Sequence, residues 1–113
     1  MNPRDRASLL DIAQAARSAL VFVSDMSLDD FSGDAKTQSA VLYQIAILGE
    51  AVKRLSTGFR DQNPGIDWRA MAGMRDKLIH DYGNVDIDRV WFTLRISLPQ
   101  LLNEIEPMLP AHP

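Results

Sequence analysis

The sequence predicts an all-α protein: an up-and-down bundle of four helices, or five if Pro99 divides the last, in one domain over residues 1–109. Three observations carry this. Apolar residues recur at steps of three and four through most of the chain. No segment alternates with a period of two over a useful length. The gaps between periodic segments hold cap and turn residues. At 113 residues, 46% hydrophobic and 24% charged, the chain is long enough for one core and too short for two.

The first helix is expected from about Pro3 to Met26. Leu9, Ile12, Ala13, Ala16, Leu20 and Val23 form one stripe, and Pro3 suits a first turn because it has no amide hydrogen to leave unpaired. Residues 27–33 (Ser-Leu-Asp-Asp-Phe-Ser-Gly) read as the connection. The second helix, from about Asp34 to Thr57, carries the stripe Val41, Ile45, Leu48, Val52 and Leu55, widened by Leu42, Ala46, Ile47 and Ala51. A helix apolar over so much of its circumference packs on two sides, either wholly inside its own core or also against a second subunit.

Asn63-Pro64-Gly65 is a firm break, after which Asp67 can cap a third helix beginning at Trp68, with Met71, Met74 and Leu78 on its apolar face. Gly83-Asn84 is the expected end of that helix. Asp86 can cap the last segment, whose rhythm runs through Val90, Leu94, Leu98, Leu101, Ile105 and Met108. Within it, Pro99 must kink the helix or split it. Residues 110–113 are expected to be a disordered tail.

Composition narrows the function. There is no cysteine, which excludes disulfides, thiolate metal sites and cysteine nucleophiles and fits a reducing cytoplasm. The N-terminus lacks the long apolar run of a signal peptide. The longest apolar stretch, Ala40 to Leu48, is interrupted by Tyr43 and Gln44 and is too short to span a bilayer, so no membrane role is expected. A net charge of −3 is unlike a protein that holds nucleic acid over a broad basic surface; any RNA contact must use local positive charge or a brief encounter.

One stretch stands out, Met74-Arg75-Asp76-Lys77-Leu78-Ile79-His80-Asp81-Tyr82-Gly83. In it Arg75, His80 and Tyr82 follow the spacing Arg-x4-His-x-Tyr. His80 is the one histidine outside the tail, and histidine is the side chain whose unperturbed pKa lies near neutrality, which suits proton transfer. Arg75 offers a planar fork for a phosphate, and Tyr82 a phenol that can donate a hydrogen bond or be modified. Spacing alone leaves duller readings open. A lone helix histidine is more often structural, Arg75 can pair with Asp76 or Asp81, and Tyr82 can be a half-buried aromatic. On one ideal helix Arg75 and Tyr82 share a face, while His80 lies roughly 140° around from Arg75. The three meet only if the helix distorts toward Gly83 or if side chains converge across a cleft between two subunits. Lys77 and Asp81 read as solvated helix residues, and Trp68 and Trp91 as core or interface anchors.

These residues resemble the signature of HEPN-domain toxins of the HepT type. Gly49-Glu50-Ala51 is similar to that family's Gly-Glu-Ala segment. Ile66-Asp67-Trp68-Arg69 with Met71-Ala72-Gly73-Met74-Arg75 resembles its approach to the motif, and Val90-Trp91 the segment after it. The matches fall in order over nearly the whole chain; Asp76 stands where the family often has asparagine. The resemblance implies a HEPN-like, dimeric bundle and a metal-independent endoribonuclease with its motif in the intersubunit cleft. His80 would be the acid–base group and Arg75 the phosphate clamp. It implies an MNT-type nucleotidyltransferase antitoxin as partner, which transfers AMP to the tyrosine corresponding to Tyr82. No cofactor is implied, although composition leaves room for a magnesium site of carboxylates. Glu50, on a strongly apolar helix, reads either as the residue that orients Arg75 or His80 or as a surface-edge glutamate. The rival function is a non-catalytic helical binding partner, or the substrate of a nucleotidyltransferase that is itself the toxin.

Overall fold

In a computed structural model, which describes residues 1–79 and 84–109, two 20-residue helices form the centre of the fold. Helix α1 (Pro3–Phe22) starts at Asn2, whose side chain accepts from the Asp5 amide at 2.7 Å, with Pro3 in the first turn. Leu9, Ile12, Ala13, Ala16 and Ala19 are buried along its length, and Val23 is buried just past its end. Helix α3 (Ala35–Arg54) is capped by Asp34, which accepts from the Thr37 amide and hydroxyl. It buries Val41, Ile45, Leu48 and Val52 of the predicted stripe, and Leu55 is buried at its C-cap. Leu42 and Ile47 are partly buried.

The two helices run antiparallel, because the end of α3 returns to the start of α1. The buried carboxylate of Asp5 accepts from the Ser56 amide and hydroxyl, both at 2.7 Å, and Arg54 reaches Asp11 at 3.5 Å. Burial pushes the Asp5 carboxyl up, but the two Ser56 donors, with Arg4 and the N-terminal ammonium, outweigh it and hold its pKa below the ordinary 3.8. A carboxyl lowered by folding adds stability above its unfolded pKa, and that contribution is lost as pH falls through the folded value. Asp5→Ala, which strands the Ser56 donors, is therefore expected to cost about 1–3 kcal/mol at neutral pH. The gap from wild type in thermal melts should narrow as pH falls below the ordinary carboxylate value and through the lower folded one; a pH-independent gap would show that packing, and not the carboxylate, is what was lost.

Two short helices lie where sequence periodicity predicts none. Helix α2 (Leu28–Ser32) sits inside the expected connection, started by a reciprocal cap between Ser27 and Asp30, and inserts the fully buried Phe31 against Trp91 at 5.4 Å. Helix α4 (Thr57–Gln62) follows α3 directly, its cap Ser56 accepting from the Phe59 amide at 3.1 Å. At five and six residues, neither is long enough to display a repeat.

The predicted third helix is two pieces, α5 (Trp68–Ala72) and α6 (Met74–Leu78), parted at Gly73, and it ends at Leu78 instead of Gly83. The last segment stays continuous: α7 (Ile87–Phe92) leads through a π-helical turn, Thr93–Ser97, into α8 (Leu98–Ile105) and a short 3-10 turn, Glu106–Met108. Pro99 neither splits nor ends it. The wider turn, in which the Leu98 amide donates to the Thr93 carbonyl, accommodates a proline that has no amide and crowds the carbonyl four residues back. The expected disordered tail at 110–113 lies outside the described residues. No helix among the described residues is long and apolar enough to cross a membrane.

Candidate functional site

The arm bearing Arg75 is positioned by its capped and buried ends. Asp67 accepts from the Ala70 amide at 3.0 Å and starts α5, as the sequence predicts. Trp68 is buried, donates from its indole to the Asn63 carbonyl at 3.0 Å, and packs against Phe59 at 5.9 Å. Helix α5 then lies against α3 at Gly49, where a Cβ would stand 3.0 Å from the Ala72 carbonyl oxygen. The glycine of the Gly49-Glu50-Ala51 segment is thus a packing residue that lets two backbones approach.

On α6, Met74 and Leu78 are buried one turn apart, so Arg75, Asp76 and Lys77 are left facing solvent. Arg75 lies 3.6 Å from Asp76, and both side chains are more than half exposed. An exposed pair of this kind is worth about 0–1 kcal/mol, so it holds the guanidinium only loosely and leaves it able to turn to a phosphate.

Beyond Leu78 the chain leaves the helix. Ile79 is extended (φ −112°, ψ 119°) and pairs antiparallel with Val85, while the Asp86 amide donates to the Leu78 carbonyl at 2.9 Å. The β-branched pair ties the end of α6 to the start of α7. His80 and Tyr82 fall between these two tied ends and lie outside the described residues. The helical-wheel difficulty drawn from the sequence therefore does not arise in that form, since the helix that carries Arg75 stops two residues before His80.

Glu50, predicted to orient Arg75 or His80 or else to sit at a surface edge, is exposed and pairs with Lys53 at 3.2 Å, an ordinary i,i+3 surface pair. It makes no contact with Arg75 among the described residues. Trp91 is half-buried between Phe31 and Arg95, whose guanidinium lies 5.1 Å from its ring, so it anchors packing as expected. Among the described residues no three of His, Cys, Asp or Glu converge as ligands of a metal ion.

The structure adds a feature that sequence reading passes over. Between α6 and the last helix runs an open groove of ≈ 380 Å³, floored by Met71, Met74 and Leu78 and edged by Lys77 on one side and Arg89 on the other. Arg89 is set by its neighbours: its amide donates to the Asp86 cap at 3.1 Å, and its carbonyl accepts from the Thr93 hydroxyl at 2.9 Å. Sequence offered only one clue, the position of Arg89 in the first turn of a capped helix.

Fold and motif together define a class, an all-helical HEPN-like bundle whose arginine-bearing helix leads into His80 and Tyr82. The family model described as ribonuclease HepT-like matches residues 12–108, and the chain belongs to this HepT-like ribonuclease family. A protein of Thermococcus cleftensis named "Probable ribonuclease HepT" is 41% identical over 100 residues, covering 88% of this chain and 91% of that one. A protein of Methanocaldococcus jannaschii named as a candidate RNase is 38% identical over 104 residues (92% and 86%). A similarly named one of Caldanaerobacter subterraneus is 35% identical over 104 residues (92% and 93%). No solved structure gave a significant match.

Proposed function

We propose that this chain is a metal-independent endoribonuclease, the toxin of a toxin–antitoxin pair, with Arg75 and His80 as its catalytic residues. The observation that carries the reading is Arg75, loosely paired and exposed on a helix fixed by Met74 and Leu78, one short step from the tied ends that flank His80 and Tyr82. In the reaction the RNA 2′-hydroxyl attacks the adjacent phosphorus and the bond to the 5′-oxygen breaks. The products are a 2′,3′-cyclic phosphate and a 5′-hydroxyl. His80 takes the proton from the nucleophile or supplies one to the leaving oxygen, and Arg75 holds the non-bridging oxygens as charge builds on them.

The active form in this proposal is a homodimer, which would bring motif residues of two chains to one cleft. Phe92 and Ile96 support it: they are 58% and 50% exposed, one turn apart on the helix that packs against α6. A nucleotidyltransferase partner would switch the enzyme off by moving AMP from ATP onto the Tyr82 hydroxyl, with release of pyrophosphate. The added charge and bulk would repel an incoming phosphate backbone.

The test is incubation of the purified, unmodified chain with total RNA and a chelator, with ends mapped for cyclic phosphate and mass measured by light scattering. Chelator-resistant cleavage by a species of twice the chain mass, lost after treatment with the nucleotidyltransferase and ATP, is expected. A folded, unmodified chain that cuts no RNA would leave it a binding partner or substrate of that enzyme.

A further inference from the structure

We infer that the groove between α6 and the last helix holds the RNA strand beside the cut, with Lys77 and Arg89 gripping a backbone phosphate other than the scissile one. This rests on the ribonuclease reading above and extends it to substrate positioning. The groove presents cations from both walls, and no carboxylate lines it. The clefts around Gly65 differ in this, being lined by Asp61, Asp67 or Glu104. Lys77 and Arg89 are exposed, and among the described residues neither takes part in an ion pair. Arg60 and Arg69 also line one cleft without an ion pair among the described residues, but there Asp61 and Asp67 stand beside them. In a chain of net charge −3, two cations left without counter-charges and facing each other across one groove are the local positive charge that an RNA contact needs.

Geometry separates this site from Arg75. On α6, Arg75 and Lys77 flank the buried face of Met74 and Leu78 from opposite sides. A helix with its side chains is about 10–12 Å across, so the phosphate held at the groove is about two or three nucleotides from the one held by Arg75. The apolar floor of Met71, Met74 and Leu78 suits the face of a base or a ribose laid against it. The groove also lies close in sequence to the tied ends that flank the motif, since Lys77 is three residues before His80, and Arg89 is four residues after Val85, which pairs with Ile79. A strand leaving the cut over the end of α6 would enter it directly.

The experiment compares wild type, the double variant Lys77→Ala/Arg89→Ala, and Arg6→Ala/Lys53→Ala, which removes the same charge from other exposed positions. Binding of a fluorescent oligoribonucleotide, 2′-O-methylated throughout to prevent cleavage, is measured over a range of salt. Cleavage of the unmodified oligonucleotide is followed in parallel. In the groove variant affinity should fall roughly tenfold or more, and the slope of log affinity against log salt should flatten by about 0.7, the loss of one neutralised phosphate on a single strand. KM should rise with kcat reduced by less than about twofold, because a phosphate remote from the reacting atoms contributes binding in ground and transition states alike. An unchanged slope and affinity in a variant whose parent cleaves RNA would overturn the inference, as would an equal loss in the control pair. If wild type cuts nothing yet binds with a salt slope that the groove variant alone flattens, the ribonuclease reading fails and the groove stands.

Discussion

His80→Ala is expected to reduce RNA cleavage by roughly 10²–10⁴-fold, the usual contribution of a positioned acid or base, while its melting temperature stays within a few degrees of wild type. Arg75→Ala should produce a loss of similar order for a different reason. Its guanidinium is more than half exposed and its pair with Asp76 is long, so removing it takes little from the fold and, in the proposed mechanism, would leave charge on the phosphorane unmatched. Arg75→Lys keeps the charge but not the planar fork and should recover only part of the rate. Thermal melts beside single-turnover rates decide the matter. A His80→Ala protein that melts early or aggregates would mark His80 as structural and remove it from the mechanism.

Gly49→Leu should destabilise the fold at the edge of the site. A Cβ at this position already meets the Ala72 carbonyl oxygen at 3.0 Å, and a backbone atom inside a capped arm cannot swing aside as a side-chain tip can. Overpacking of this sort costs about 1–3 kcal/mol. For a domain of this size that is a fall in melting temperature of roughly 5–15 °C. Because α6 follows α5 through Gly73, displacing α5 also moves Arg75, so activity should drop even below the melting range. Gly49→Ala adds only the Cβ, and about 1 kcal/mol regained in helix propensity opposes the contact, so its effect should be much smaller. A Leu variant as stable and active as wild type would mean that the close approach of α3 and α5 is not needed.

The long helices were legible because they are long. In α1 and α3 a stripe such as Val41, Ile45, Leu48, Val52 and Leu55 repeats often enough to mark one face, and that face is the buried one. Asp67 and Asp86 announced helix starts because a cap is a local bond within four residues. The residue types of the motif were legible too: a histidine, an arginine and a tyrosine at a spacing similar to one family's signature.

What the chain does between those landmarks was decided by contacts that the helical repeat does not display. Helices α2 and α4, too short to show a repeat, join local caps to distant partners: Phe31 meets Trp91 and Ser56 meets Asp5, about sixty and fifty residues away. The end of α6 at Leu78 was set by the pairing of Ile79 with Val85 and of Leu78 with Asp86, which outweighed the glycine signal at Gly83. Pro99 was absorbed because a π-helical turn cost the packed helix less than a break. Arg89 came to face Lys77 because two tied helices leave a groove between them. Sequence alone determined which residues can do chemistry and which faces must be buried, since both are properties of side chains and local repeats. Tertiary structure decided which charges meet across space, because that depends on how the helices pack and where each one stops.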